Sequence, residues 1–367
     1  MAQIGIGIVG GGYMGKAHAV AMAAVGAVFD TVLRPTLEMI CTTSEAGAAE
    51  KARQFGFKRS TSDWRKLVED PAVGAVIIAS PQETHHDIAL AALGKGKHVL
   101  CEKPLGLNAA QSRAMVAAAE QSGCVHMAGF NYIRTPATQL ARQIIAQGEI
   151  GRITFLRAEH TEDFLADASQ PGDWRTQGRA NGTMGDLAPH IINAALALGG
   201  PITSLVADIA TVHQTRGGVT VSNDDQSGLL CRFASGAMGQ LFVSRVATGR
   251  KMGYAYEVYG TKGSLRFDQE DQNALWLYRA EGPEARRGFT KILTGPLHPD
   301  YKAFCLGPGH GTGYQDQIII EARDFLQAIH EGQPRWPSFR DGLMVDQIIE
   351  AGWKSHEGRC WVNIENV

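Results

Sequence analysis

Residues 4–15 read Ile-Gly-Ile-Gly-Ile-Val-Gly-Gly-Gly-Tyr-Met-Gly, and this stretch decides the fold of the first third of the chain. Residues 4–9 are rich in β-branched side chains, which is typical of a short strand. Gly10, Gly12 and Gly15 then give the spacing GxGxxG, and a helical pattern follows over residues 14–25. Such glycines allow a tight turn and let the backbone approach a pyrophosphate at the amino end of the helix. We therefore predict a dinucleotide-binding turn, with an ordinary glycine-rich turn as the alternative.

The chain continues to alternate strands and helices up to residue 129. Strand patterns occupy residues 37–42, 75–79, 98–101 and 125–129, with helix patterns over 45–55, 64–68, 86–93 and 109–121. The run at 75–79 is apolar without alternation, as expected of a strand covered on both faces. The fold class is therefore α/β, and residues 1–129 are predicted to form a doubly wound, parallel, Rossmann-type dinucleotide-binding domain.

The pattern changes from residue 130 onward. Helical signals persist at 137–146 and 184–198, but alternating stretches joined by short turns dominate, which favours a mostly antiparallel sheet. We predict that residues 130–367 form an α+β domain for substrate binding and oligomerisation, with one sheet face left open by the helices. Either a second subunit, in a homodimer or homotetramer, or the long segment at 282–311 covers that face.

Composition narrows the class of protein. The chain has 367 residues, 44% of them hydrophobic and 20% charged, with a net charge of -2. A balance so close to neutral argues against nucleic acid or an anionic membrane as the main partner. The six cysteines form no CxxC pair, so reduced thiols in a cytoplasmic protein are favoured over disulfides or a metal site. The start of the chain shows no signal-peptide pattern, and we expect no membrane segment.

Lys103 follows the predicted strand at 98–101, in Cys101-Glu102-Lys103-Pro104. Ligands of open parallel sheets bind beyond the carboxyl ends of the strands, so we expect this lysine to face a bound cofactor. A solvated surface lysine before a proline turn is the alternative.

Asp186 and His190 are the second candidate for chemistry. They lie four residues apart on a predicted helix, so their side chains should project from the same face. A histidine beside a carboxylate suits a general base near neutral pH. Pro189 fits if the helix begins near Asp186. A capping aspartate with a packed histidine, or a metal pair, remains open.

Several motifs together resemble one family, that of glucose-fructose oxidoreductase, inositol dehydrogenase and MocA. They are the glycine turn, Glu102-Lys103-Pro104, Gly129-Phe130-Asn131, Gly185-Asp186 with His190, Ser80-Pro81-Gln82 with His85, and the stretch at 257–263. The resemblance implies that a secondary hydroxyl of a sugar, anhydrosugar or polyol is oxidised by hydride transfer to NAD(P). It implies that His190 takes the hydroxyl proton, Lys103 hydrogen-bonds the same oxygen, and Asp186 orients the reacting groups.

The cofactor-binding positions implied by the turn and the resemblance are Gly10, Gly12, Tyr13, Met14, Gly15, Ser80, Pro81, Gln82, His85, Glu102, Lys103 and Asn131. Thr43 and Ser44 follow the second strand, where an acidic residue would otherwise hold the adenine ribose. Their hydroxyls suit either a ribose diol or a phosphate. We expect NAD, with NADP not excluded.

The sequence leaves the substrate open. Stretches at 160–164 and 173–175 resemble family members that act on pyranose rings and anhydrosugars. The expected substrate-binding residues are Lys103, Asn131, His160, Asp163, Trp174, Arg175, Asp186, His190 and His310. A packed tryptophan beside a surface arginine, and an ordinary surface loop at His310, are the alternatives. Two other functions also remain open: an enzyme that retains and recycles its cofactor, and a non-catalytic nucleotide sensor.

Overall fold

A computed structural model describes residues 2–367, in which the chain divides into two compact units. The first unit contains the residues up to Arg134 together with Gly313–Asp346, and the second contains Thr135–Thr312 and Gln347–Val367. The first break lies close to the predicted boundary at 129/130. The difference is that residues 313–346 return to the first unit, whereas we predicted two continuous segments.

The helices and strands are, in chain order, β1 (Ala2–Val9), α1 (Tyr13–Val28), β2 (Leu33–Cys41), α2 (Glu45–Phe55), β3 (Arg59–Thr61), α3 (Trp64–Glu69), β4 (Ala75–Ile78), α4 (His85–Gly94), β5 (His98–Glu102), α5 (Ala109–Ser122), β6 (His126–Gly129), α6 (Pro136–Ala146), β7 (Ile153–Thr161), α7 (Thr183–Asp186), α8 (Ala188–Gly199), β8 (Ile202–Ala210), β9 (Thr215–Arg216), β10 (Val219–Thr220), β11 (Gln226–Phe233), β12 (Met238–Ser244), β13 (Gly253–Gly260), β14 (Gly263–Asp268), β15 (Ala274–Arg279), β16 (Thr290–Leu293), α9 (Tyr301–Phe304), α10 (Tyr314–Glu331), α11 (Phe339–Gly358) and β17 (Val362–Asn363). Within residues 2–367, none of the helices combines the length and apolarity that a membrane-spanning segment requires.

The first unit is built on a six-stranded parallel sheet in the order β3-β2-β1-β4-β5-β6. The strand order reverses between β1 and β4, which is where ligands of doubly wound sheets bind. Val76, Ile77 and Ile78 of β4 are fully buried, because helices cover both faces of the sheet. The doubly wound prediction is thus confirmed.

The helix α10 explains why residues 313–346 belong to the first unit. It packs against α1 and buries an apolar stripe that includes Ile318, Ala322 and Phe325. A stripe of this kind needs an apolar partner surface, and α1 supplies one through Ala21 and Val25. Neither α10 nor α11 was among the predicted helices.

The second unit contains a nine-stranded sheet in the order β16-β15-β14-β13-β7-β12-β11-β8-β17. All neighbouring pairs are antiparallel except β7 and β12, which run parallel. One face packs on α8 and α6 and buries side chains such as Leu156, Ala158 and Tyr256. The predicted mostly antiparallel sheet is therefore confirmed, with the β7–β12 pair as the exception.

The opposite face of this sheet presents a row of charged, polar and apolar side chains. From the strand registers, one cross-strand row contains Leu230, Gln240, Arg157, Glu257, Arg266 and Trp276. Glu257 Oε1 lies 3.2 Å from Arg157 Nη2 and 3.4 Å from Arg266 Nε. Residues 282–311 add the edge strand β16, and the Arg266 guanidinium lies over the ring of Phe289.

The predicted single helix at 184–198 is divided. Asp186 is the last residue of α7, Leu187 links the two helices, and α8 begins at Ala188 with Pro189 in its first turn. Pro189 has no N–H to continue the preceding turn, which accounts for the interruption. Asp186 and His190 therefore lie on consecutive short elements rather than on one helix face, which corrects the sequence-based expectation.

Candidate active site

The glycine-rich turn after β1 has the geometry of a phosphate-binding site. Gly10 has a φ of 114°, and a Cβ there would lie 2.3 Å from the Ala79 carbonyl oxygen. A Cβ on Gly15 would lie 2.0 Å from the Gly10 carbonyl oxygen. Gly12 faces open space and begins α1 without a side-chain cap. The first-turn N–H groups of α1 can therefore receive an anion, and the turn fits the pyrophosphate of a dinucleotide.

The end of β2 presents hydroxyls and no carboxylate at residues 42–44. Thr43 and Ser44 are both exposed, and the Ser44 hydroxyl accepts a hydrogen bond from the Gly47 amide at 3.2 Å. This contact caps α2 and leaves the Ser44 proton available to a ligand oxygen. The Lys51 stem runs beside the glycine turn, since a Cβ on Gly11 would lie 3.2 Å from its Cγ.

Two turns at the carboxyl ends of β4 and β5 are joined by His85. This histidine is 1% exposed, with Nδ1 2.9 Å from the Pro104 carbonyl oxygen and Nε2 3.0 Å from the Ser80 carbonyl oxygen. Burial lowers the pKa of His85, so the neutral ring donates to one of the two oxygens at a time. His85 therefore lies between the Ser80 turn and the Lys103 turn, and contacts the backbone of both.

Asp346 anchors the far side of the Lys103 turn. Its Oδ2 accepts hydrogen bonds from the Gly106 amide at 3.2 Å and the Ser112 hydroxyl at 2.5 Å. Burial raises the pKa of Asp346 to about 7. The chain leaving Lys103 is thus fixed by a side chain that lies far from it in sequence.

Helix α10 contributes two contacts that sequence reasoning missed, one from Tyr314 to the glycine turn and one from Gln317 to Asn131. Tyr314 stacks on the exposed ring of Tyr13, with 5.8 Å between ring centroids, and its hydroxyl donates to the Met14 sulfur at 3.3 Å. Asn131 is buried, and its side-chain amide donates to Gln317 Oε1 at 3.1 Å. The amphipathic pattern at 314–331 could have predicted the helix. The neighbouring sequence, however, does not indicate that the helix packs against α1.

In the second unit, a buried aspartate fixes the segment that contains Asp186. Asp224 Oδ2 accepts from the Met184 amide at 2.9 Å and from the Thr183 hydroxyl at the start of α7. A Cβ on Gly182 would lie 1.9 Å from Asp224 Oδ1, and one on Gly185 would lie 2.1 Å from the Ala180 carbonyl oxygen. The Gly182-Thr183-Met184-Gly185-Asp186 stretch therefore requires glycine at both positions.

His190 lies beside a second histidine in the same unit. The ring centroids of His190 and His160 are 5.5 Å apart, and both side chains are buried. His160 Nε2 donates to Glu162 Oε1 at 2.9 Å, and the rings of His160 and Tyr254 are nearly perpendicular with 6.0 Å between their centroids. A buried imidazole next to an imidazole–carboxylate pair is an arrangement that can accept a proton from a substrate hydroxyl.

Trp174, one of the predicted substrate-binding residues, is well exposed. Trp174 is 61% exposed, and the Arg175 guanidinium covers its ring at 4.3 Å. Its loop is anchored by Arg245, which is 2% exposed and lies 2.9 Å from Asp225 Oδ1. Arg245 also donates to the Arg175 carbonyl oxygen at 2.7 Å. Sequence reasoning missed this buried ion pair, because its effect on the Trp174 loop depends on long-range contacts.

Asp163 and His310, two further predicted substrate contacts, have partners within the unit. Asp163 Oδ2 lies 2.7 Å from Lys251 Nζ and accepts from the Gly249 amide at 3.1 Å, and the contact with Lys251 lowers its pKa. His310 is exposed, with Nδ1 3.3 Å from the Cys305 sulfur.

Comparison with known proteins agrees with these features. Residues 4–130 match the oxidoreductase family with an NAD-binding Rossmann fold, and residues 138–266 match the GFO/IDH/MocA C-terminal domain. The chain is 38% identical to levoglucosan dehydrogenase of Pseudarthrobacter phenanthrenivorans, covering 100% of both proteins. It is 27% identical to myo-inositol 2-dehydrogenase of Thermotoga maritima, covering 99% of each. A solved structure of levoglucosan dehydrogenase in complex with NADH and levoglucosan aligns with a TM-score of 0.96 and 40% identity, over 99% of each chain.

The fold and the glycine turn, together with these matches, define an NAD-dependent oxidoreductase that acts on hydroxyl groups of the sugar and polyol class. The chain belongs to the GFO/IDH/MocA oxidoreductase family. The resemblance inferred from the motifs is thus confirmed, as are the NAD cofactor and the dehydrogenase class.

Proposed function

We propose that this enzyme oxidises a secondary hydroxyl of an anhydrosugar or pyranose of the levoglucosan type. The end-to-end similarity to levoglucosan dehydrogenase is the observation that supports this substrate class most strongly. The exposed Trp174 ring and the adjacent Arg175 offer an apolar surface and hydrogen-bond donors, as sugar recognition requires.

In the proposed mechanism His190 accepts the proton of the substrate hydroxyl. Lys103 donates a hydrogen bond to the same oxygen and stabilises its developing negative charge. Asp186 orients the reacting groups. Bound NAD supplies the hydride acceptor. The carbon loses a hydride and the oxygen a proton, so the secondary alcohol becomes a ketone.

The glycine turn, the Ser80 turn and the Thr43–Ser44 pair are the positions we propose for cofactor binding. The open N-terminus of α1 supports the first of these, and the exposed hydroxyls support the last. His85 and Glu102 are buried, so we assign them to supporting the turns rather than to direct contact.

A substrate panel tests the proposal. Levoglucosan, glucose, myo-inositol and other polyols are each incubated with NAD or NADP, and reduced cofactor is followed by its absorbance. We expect the highest kcat/KM for levoglucosan or a related pyranose with NAD. Activity confined to acyclic polyols would contradict the proposed substrate, and substrate turnover without accumulation of NADH would indicate a retained, recycled cofactor.

We also propose that the protein is a cytoplasmic homo-oligomer associated through the outer face of the large sheet. Its alternating Arg157, Glu257 and Arg266 can pair with the same row of a second copy in an isologous interface. The cysteines among the described residues are free thiols, in keeping with a reducing compartment.

A further inference from the structure

We propose that His18 is a positioning residue for Lys103, acting through the carboxylate of Glu102 in a buried cluster that Glu321 completes. The inference rests on the proposed role of Lys103 and adds residues to which the mechanism above gives no part. All three residues belong to the first unit.

Two hydrogen bonds connect His18 to the backbone of Lys103. His18 lies on α1, is 1% exposed, and places Nε2 2.7 Å from Glu102 Oε1. The other oxygen of the carboxylate, Glu102 Oε2, accepts from the Lys103 amide at 3.3 Å. The Glu102 carboxylate can therefore hold the Lys103 backbone only while its own orientation is fixed, and His18 fixes it.

Glu321 of α10 is the third member of the buried cluster with His18 and Glu102. Its carboxylate is fully buried, and the ligand atoms of His18, Glu102 and Glu321 all lie within 4.8 Å of one another. Arg134 Nε lies 3.4 Å from Glu321 Oε1, and Arg134 also pairs with Asp324. The groups facing one another are thus two cations, His18 and Arg134, and three carboxyls, from β5 and α10.

The titration of these groups agrees with a cluster that holds protons near neutral pH. Burial lowers the pKa of His18, but the hydrogen bond and charge of Glu102 raise it more, so the net change is upward. Burial also raises the pKa of Glu321 to about 7, against the lowering effect of Arg134. Close, buried carboxyls avoid two full charges by keeping a proton.

A histidine and two glutamates are also metal-binding groups, so a cation is the alternative occupant. The 2.7 Å separation of His18 Nε2 and Glu102 Oε1 is that of a direct hydrogen bond. Arg134 already provides the positive charge beside Glu321. The geometry therefore favours a proton-holding cluster over a metal site.

The test compares two substitutions of His18. His18→Phe removes the donor and keeps the volume, whereas His18→Gln retains an N–H near the position of Nε2. We expect His18→Phe to lower kcat by about ten- to a hundredfold, the scale of a misplaced catalytic group, with little change in KM for NAD. His18→Gln should recover most of that loss. His126→Phe, which removes another buried histidine of this unit, is the matched control and should leave kcat near the wild-type value.

A double-mutant cycle separates this inference from the proposed function. In a Lys103→Met background, His18→Phe should cause little further loss, because the group it positions is already gone. Wild-type turnover by Lys103→Met would contradict the role of Lys103 itself. Loss in Lys103→Met, together with unchanged kcat in His18→Phe or equal kcat losses in His18→Phe and His18→Gln, would overturn only the positioning role. If His18→Phe does not fold, His18→Asn, whose shorter amide cannot reach Glu102, replaces it in the comparison.

Discussion

At the scale of single residues, two buried carboxyl groups, those of Glu102 and Asp346, hold the backbone around Lys103. Lys103 follows a strand end that is held on one side by Glu102 and on the other by Asp346, through the Gly106 amide. Burial shifts the pKa of Asp346, so the protonation of its carboxyl affects the stability of the fold. Asp346 is suited to a test because, within residues 2–367, its hydrogen bonds are only those with the Ser112 hydroxyl and the Gly106 amide.

Asp346→Asn should make the enzyme's stability less dependent on pH. The carboxyl has a pKa of about 7 in the folded protein against 3.8 for an unperturbed aspartate, so between these pH values the folded state holds a proton that the unfolded state has lost. Wild-type stability should therefore fall as pH rises from about 4 to 7 and then level off. Asparagine can still accept from Gly106 and Ser112.

Denaturant unfolding of both proteins at pH 5 and pH 8 measures this difference. We expect Asp346→Asn to gain stability relative to wild type at pH 8 compared with pH 5. A constant difference between the two proteins across this range would contradict a raised pKa for Asp346.

Trp174→Ala should raise KM for the sugar about fivefold, because loss of one aromatic contact corresponds to ~1 kcal/mol. Turnover at saturating sugar should change much less, since Trp174 lies outside the proton-transferring groups. Trp361, 49% exposed, provides the control Trp361→Ala. Equal KM values for Trp174→Ala and wild type would remove Trp174 from the sugar site.

At the scale of elements, local sequence predicts most strands and helices within residues 1–129 but misses β3, and it also misses α10 of the same unit. The bounds of α2 agree with the predicted 45–55, and those of β4 and β5 differ by a single residue at one end. Apolar runs and glycines determine these elements locally. The break at Leu187 was missed, because the effect of Pro189 depends on which residue starts the next helix.

Candidate site residues were recognised in the sequence only where a motif contains them. Lys103, His190 and the glycine turn stand in recognisable patterns, whereas Tyr314, Asp346 and Arg245 act through contacts far apart in sequence. The parallel β7–β12 pair was likewise missed, because strand order is set by long-range packing. Patterns within a short stretch of sequence do not predict contacts between residues that are far apart in the chain.

Arg245 gives a prediction about the loop that contains Trp174. Arg245→Met leaves the Asp225 carboxylate buried without its cation, which should cost about 3–5 kcal/mol of folding free energy. Arg335→Ala, at a solvent-accessible pair with Glu331, should cost less than about 1 kcal/mol. Denaturant unfolding of both variants tests this contrast, and similar losses would contradict it.

At the scale of the whole molecule, the proposed self-association through the outer face of the nine-stranded sheet can be tested by a charge reversal. Glu257→Lys would place three cations next to one another in the Arg157, Glu257 and Arg266 row, so we expect it to weaken self-association. Light scattering should give a multiple of 39.5 kDa for wild type and a lower mass for the variant. Glu331→Lys, on the first unit, is the charge-matched control. A wild-type mass near 39.5 kDa would rule out the oligomer.

The central claim is that Lys103 and His190 act on the same substrate hydroxyl. The most direct measurement is NADH formation from levoglucosan by wild type, Lys103→Met and His190→Asn, with NAD affinity followed by intrinsic fluorescence. We predict losses of ~10² to 10⁴ in kcat for each variant with nearly unchanged NAD affinity. Retention of most of the activity by either variant would contradict the account.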